Sequence, residues 1–134
     1  MKNIFMALMI LIFVVACSES IKDNEVKVAE KKNANAKVTF VELGSVNCIP
    51  CKQMQPVLKA VEEKYGDQIE VIFYDVWEPD QKKYAEQYLI SLIPTQVFLD
   101  ENGKEFHRHQ GFYPEAEIDK ILQSKGLTPL NKKD

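Results

Sequence analysis

The chain has 134 residues, 46% of them hydrophobic and 28% charged, enough to build the core of one small domain without a disulfide framework. Seventeen basic against twenty acidic residues give a formal charge of −3. That balance argues against nucleic-acid binding, which needs a concentrated basic face.

Residues 1–16 read as a signal peptide. Lys2 gives a positive start, and Ile4–Val15 is apolar throughout. The run is shorter than the roughly 20 residues that a spanning helix requires. It ends in Val14-Val15-Ala16-Cys17, which resembles the lipobox of bacterial lipoproteins. The resemblance implies cleavage before Cys17, acylation of that cysteine and a lipid anchor in the cell envelope, facing the periplasm or the cell exterior. Acyl chains hold a protein to a membrane because each buried methylene contributes about 0.8 kcal/mol. Residues 17–37 then form a polar tether rich in Lys, Glu and Asn, in which Glu25–Val28 alternates and offers a short edge strand.

The domain is expected over residues 38–126, with a polar tail at 127–134. Val38–Leu43 is β-branched and apolar, a buried strand. A loop at Gly44–Asn47 leads to Cys48-Ile49-Pro50-Cys51. Met54, Val57, Leu58, Val61 and Tyr65 then recur at helical spacing up to Gly66, with Pro56 inside the helix as a kink. Ile69–Val76 is a second strand. Pro79-Asp80 opens a helix whose inner face carries Tyr84, Ala85, Tyr88 and Leu89. Thr95–Leu99 is a third strand, Glu101-Asn102-Gly103 a turn and Lys104–Gln110 a fourth strand. Pro114 starts a last helix carrying Ile118, Ile121 and Leu122, and Gly126 ends it. The order β-α-β-α-β-β-α implies an α/β domain, a mixed sheet with helices on both faces.

A Cys-X-X-Cys pair between a strand and a helix, within a βαβ pattern, has a redox reading. The unsatisfied amides and positive dipole of a helix N-terminus stabilise a thiolate at Cys48. Cys51 sits one turn deeper, placed to attack a mixed disulfide formed on Cys48. Pro50 suits an early helical position. The same spacing is half of a zinc site, whose other ligands would be His107 and His109, the two histidines of the chain. The strand–helix context favours the redox reading, with no metal and no cofactor.

Taken together, Asn47-Cys48-Ile49-Pro50-Cys51-Lys52, Pro56, Ile93-Pro94-Thr95, Asn102-Gly103 and Gly111 match the motifs and spacings of thioredoxins. Residues 38–126 therefore resemble that family. Gly44–Leu58 is similar to the small extracytoplasmic thioredoxins of the cytochrome c biogenesis type. The resemblance implies a thioredoxin fold with a four-stranded sheet, or five strands if Glu25–Val28 joins. It implies a redox disulfide between Cys48 and Cys51, and a cis Ile93–Pro94 bond at a substrate-docking ridge flanked by Asn47, Ile49 and Pro50. Glu42 falls where thioredoxins keep a buried Asp behind the second cysteine, implying a raised pKa and a proton-accepting role. Its alternative is a solvent-facing side chain at the strand end.

There are departures. Asn47 replaces the family's Trp, Ile49 its Gly, and Tyr74-Asp75 stands near its buried Lys. Trp77 reads first as a packing aromatic and second as a contact surface. The expected function is a monomeric, membrane-anchored thiol–disulfide oxidoreductase. It would reduce protein disulfides, drawing electrons from a membrane carrier. The alternatives are a disulfide-forming oxidase on the same fold and a copper-binding chaperone using the cysteines with His107 or His109.

Overall fold

The computed structural model describes residues 33–130. The signal peptide, Cys17 and the Glu25–Val28 strand expected from the sequence lie outside them. The elements follow the order β1 (Val38–Gly44), α1 (Ile49–Tyr65), β2 (Ile69–Asp75), α2 (Lys83–Gln87), β3 (Thr95–Asp100), β4 (Glu105–Gln110) and α3 (Glu115–Ser124). The four strands lie in the order β2-β1-β3-β4. β1 and β2 are parallel, and the other two pairings are antiparallel.

β1 is buried along its whole length, as a strand covered on both faces must be. Its alternate residues serve two cores. Val38 and Phe40 face Met54, Leu58, Val61 and Tyr65 of α1 together with Ile118 and Leu122 of α3. Val41 and Leu43 face the opposite way, onto Tyr74, Val76, Val97 and Leu99, with Tyr84, Ala85 and Tyr88 covering them. The helices therefore lie on both faces of a mixed four-stranded sheet, as the element order implies, and α1 runs through Pro56 as one element.

The region around α2 differs from the sequence expectation. The segment opened by Pro79-Asp80 is a series of turns, and the helix begins only at Lys83. Leu89 is not on its inner face: it is 83% exposed and has a φ of 51°. Ile90 N donates to Ala85 O and Leu89 N to Glu86 O, so Leu89 takes the left-handed position that ends a helix. Ile90 fills the core place instead.

The C-terminal segment differs as well. Leu127 is buried, Gln68 exchanges hydrogen bonds with the backbone of Thr128, and Leu130 N donates to Lys64 O at 2.7 Å. A side chain at Gly66 would collide with Leu130. The packed domain therefore runs past Gly126: Leu127 joins the core, and the backbone of Thr128 and Leu130 is tied to Gln68 and Lys64. At the other boundary Ala36 is buried and Lys37 N donates to Gln68 O, so the final residues of the expected tether are already part of the fold.

Because β3 runs against β1 and β4 against β3, the β1–α1, β2–α2, α2–β3 and β4–α3 connections all emerge at one end of the sheet. The candidate site lies there.

Candidate active site

Cys48 is the N-cap of α1, and its Sγ accepts a hydrogen bond from Cys51 N at 3.4 Å. The two cysteines are joined as a disulfide with their Cα atoms 5.2 Å apart. Cys48 is the more accessible, at 8% against 0% for Cys51. Pro50 occupies the first turn, where no helical donor is lost. Asn47, Ile49 and Pro50 are exposed around the sulfurs, Ile49 at 74%.

Behind the pair the backbone comes unusually close. A Cβ at Gly44 would lie 3.2 Å from both Cβ and Sγ of Cys51 and 3.3 Å from the Phe73 ring. Glycine is needed there for space, since the end of β1 forms the floor under the inner sulfur. Asp75 closes the adjoining loop. Its Oδ2 accepts from Ser45 Oγ (3.3 Å) and Val46 N (3.0 Å), and its Oδ1 from Trp77 N (3.1 Å). Ser45 passes the constraint on, accepting from Asn47 N through Oγ and from Cys48 N through its carbonyl. Burial pushes the Asp75 carboxyl up, but the amides of Val46 and Trp77 and the Ser45 hydroxyl outweigh it and hold the group below the usual carboxylate value.

Glu42 is fully buried, so it does not point to solvent. It lies between Phe40 and Gly44 on the face of β1 that α1 covers, and Gly44 on that face abuts Cys51. Burial raises its pKa from 4.5 to about 8. The Gln96 amide, directly opposite on β3, offsets part of this.

The Ile93–Pro94 bond is cis, as the resemblance implied. Pro94 immediately precedes Thr95, which pairs with Leu43 near the end of β1. Gly111 N donates to Pro94 O at 2.8 Å and Thr95 Oγ1 to Leu92 O at 2.7 Å, tying the ridge to β4 and to its own loop. Ile93 is half-buried and Pro94 buried. Trp77 is not a packing aromatic. It is 59% exposed, and it shares the loop end of the sheet with the exposed Val46, Ile49, Leu92 and Phe112.

His107 and His109 point to the α1/α3 face of β4. There His107 Nε2 bonds the Tyr113 hydroxyl, and the His109 ring stacks on Tyr113 with centroids 3.9 Å apart. Burial, and then the neighbouring His109, hold His107 below the usual imidazole value. Both rings are engaged by the Phe112–Tyr113 segment: His109 Nε2 bonds Phe112 O.

A family model described as a thioredoxin-like domain matches residues 22–126. The chain belongs to the thioredoxin-like family. A thioredoxin-like protein of Synechocystis sp. is 31% identical over 107 residues, covering 78% of this chain and 96% of that one. Thioredoxin Y of rice chloroplasts is 34% identical over 91 residues, 66% of this chain and 51% of the relative, so the chain spans about half of that protein. Among solved structures, a thioredoxin of Nicotiana alata superposes with a TM-score of 0.57 at 31% identity, covering 66% of this chain and 73% of that one. This thioredoxin-like chain carries its Cys-X-X-Cys pair at disulfide distance on a helix N-terminus, the arrangement of a thiol–disulfide oxidoreductase.

Three residues of this thioredoxin-like site escape sequence reasoning. Gly44 reads as an ordinary loop glycine, Asp75 only as a residue standing near the place of the family's buried Lys, and Gln96 as one more strand residue. The available signal is a polar residue inside an apolar strand, Gln96 within Thr95–Leu99, which parallels Glu42 within Val38–Leu43.

Proposed function

We propose that this protein is an extracytoplasmic, membrane-anchored reductase of protein disulfides, re-reduced by a membrane electron carrier. The observation that carries the exchange chemistry is the Cys48–Cys51 pair on the N-terminus of α1, with the outer sulfur accessible and the inner one enclosed. The anchor rests on the apolar run ending in Val14-Val15-Ala16-Cys17, and the direction on Pro50 between the cysteines, which resembles reducing members of the family.

In the reduced form, the Cys48 thiolate attacks one sulfur of a substrate disulfide and expels the other as a thiolate, leaving a mixed disulfide. Glu42 in its ionised form, the carboxyl titrating at about 8, accepts the Cys51 proton. The Cys51 thiolate attacks Cys48 Sγ and releases the second substrate thiol. Two electrons have moved: the substrate leaves as a dithiol, and the pair is again a disulfide. The cis Ile93–Pro94 ridge, Asn47, Ile49, Pro50 and the exposed Val46, Trp77, Leu92 and Phe112 give an apolar rim for an unfolded, cysteine-bearing segment.

Trapping tests this reading. In the full chain, Cys51→Ala should accumulate mixed disulfides with envelope proteins, whereas Cys48→Ala should accumulate none. The reverse pattern would reverse attacker and resolver. The Cys48–Cys51 potential against glutathione should lie with the reducing members, and a value near the strong oxidants would make the protein a disulfide-forming oxidase. A Cys17→Ala chain should leave the membrane fraction; continued membrane retention would refute the lipid anchor.

A further inference from the structure

Gln96 is wholly buried, in a strand whose other buried residues are Thr95, Val97, Phe98 and Leu99, and burying an amide is costly unless it is used. It stands directly across the β1–β3 ladder from Glu42. Opposed residues on one face of an antiparallel pair have Cβ atoms about 4.5–5.5 Å apart, so the two side chains are neighbours in the same dry space. One amide hydrogen is committed: Gln96 Nε2 donates to Gly111 O at 3.1 Å. Gly111 N in turn donates to Pro94 O at 2.8 Å. The remaining capacity of the amide, one N–H and Oε1, lies among groups that otherwise lack a match. Both oxygens of Glu42 and Oε1 of Gln96 are buried without a hydrogen-bond partner among the described residues.

An amide can serve either state of a carboxyl group. Its second N–H donates to the carboxylate, and its oxygen accepts from the protonated acid. A methionine or leucine in its place could do neither, and would leave Glu42 with apolar side chains opposite it on both neighbouring strands, Phe73 on β2 and the new residue on β3. We propose that Gln96 is a positioning residue that holds the carboxyl of Glu42 toward Cys51 and ties it, through Gly111, to the ridge that carries Pro94. This rests on Glu42 as the proton acceptor for Cys51.

The other titratable groups on this face are accounted for. α1 and its N-cap bring Cys48, Cys51 and Tyr65, whose hydroxyl donates to Asp119 Oδ1 at 2.9 Å. From β2, Asp75 has both oxygens turned to the loop donors of Ser45, Val46 and Trp77. From β4, His109 lies opposite Gln96 but stacks on Tyr113, and His107 bonds the Tyr113 hydroxyl. Gln96 is thus the polar neighbour whose removal should be felt by Glu42 first.

The test uses the reduced full chain with 13C-labelled glutamate, the Glu42 signal being the one lost in Glu42→Gln. Gln96→Met should move the Glu42 carboxyl midpoint to higher pH by roughly one pH unit. It should carry the pH profile of mixed-disulfide resolution with it, and should leave that profile unchanged in a Glu42→Gln background. Gln96→Leu gives the same comparison if the Met variant does not fold. A Glu42 midpoint unmoved in a folded variant, with only the melting temperature lowered, would overturn the proposal and leave Gln96 a space-filling residue. If the protein reduced no disulfide at all, the carboxyl titration would still report the pairing, so the two failures remain separate.

Discussion

Glu42 holds its proton in the folded protein up to about pH 8, while the unfolded chain releases it near 4.5. Between those values the native state binds a proton that the unfolded state does not, so stability falls as pH rises through this window. Below it the group makes no difference. Above it the full penalty applies, at most about 5 kcal/mol for a shift of this size. Urea unfolding of wild type against Glu42→Gln should therefore show a stability difference that moves against wild type by several kcal/mol from pH 5 to pH 8. A constant difference would mean that Glu42 ionises as an exposed glutamate does. At this scale the sequence is informative where chemistry is local. The Cys48–Cys51 spacing needs only a helix start to acquire meaning. Gln96 and Asp75 acquire theirs from residues far away in the chain, Glu42 and Ser45–Val46, and no local pattern reports a strand register.

The β1–α1 loop is short and rigidly held, and Asp75 is the reason. Three donors converge on its two oxygens, so one side chain from β2 fixes the approach to Cys48. Asp75→Ala leaves Ser45, Val46 and Trp77 without that acceptor. It should cost about 2–3 kcal/mol and slow the reaction of reduced Cys48 with a model disulfide, with Asp75→Asn intermediate because it keeps one acceptor oxygen. Unchanged kinetics in the Ala variant would show that the loop holds itself. The α2 region shows the opposite limit of sequence reading. Apolar residues at Tyr84, Ala85, Tyr88 and Leu89 have helical spacing, yet the backbone at Leu89 enters the left-handed region and its side chain points to water. Periodicity reports which residues suit a helix, and tertiary packing decides how far the helix runs. Here Ile90 wins the core position, and the helix stops at Gln87.

The whole domain is legible from the order of strands and helices, because one parallel crossover and one hairpin leave few ways to pair four strands. Its limits are less legible, since a polar tail and a docked one have similar composition. Leu127, Thr128 and Leu130 are docked. Ending the chain at Gly126 should cost about 3 kcal/mol, a fall in Tm of roughly 10–20 °C for a domain of this size. An unaltered Tm would return the boundary to Gly126.

Residue 33 enters the fold beside Asp67, and Lys37 beside Gln68, at the foot of the sheet. The sulfurs sit at its head, seven strand residues away, a span of about 20 Å. The amino-terminal entry and the reactive pole therefore lie at opposite ends of the sheet. Under the anchor proposed above, a lipid on Cys17 would leave that pole free to meet targets away from the bilayer, and a membrane-embedded donor would reach it only after the domain reorients.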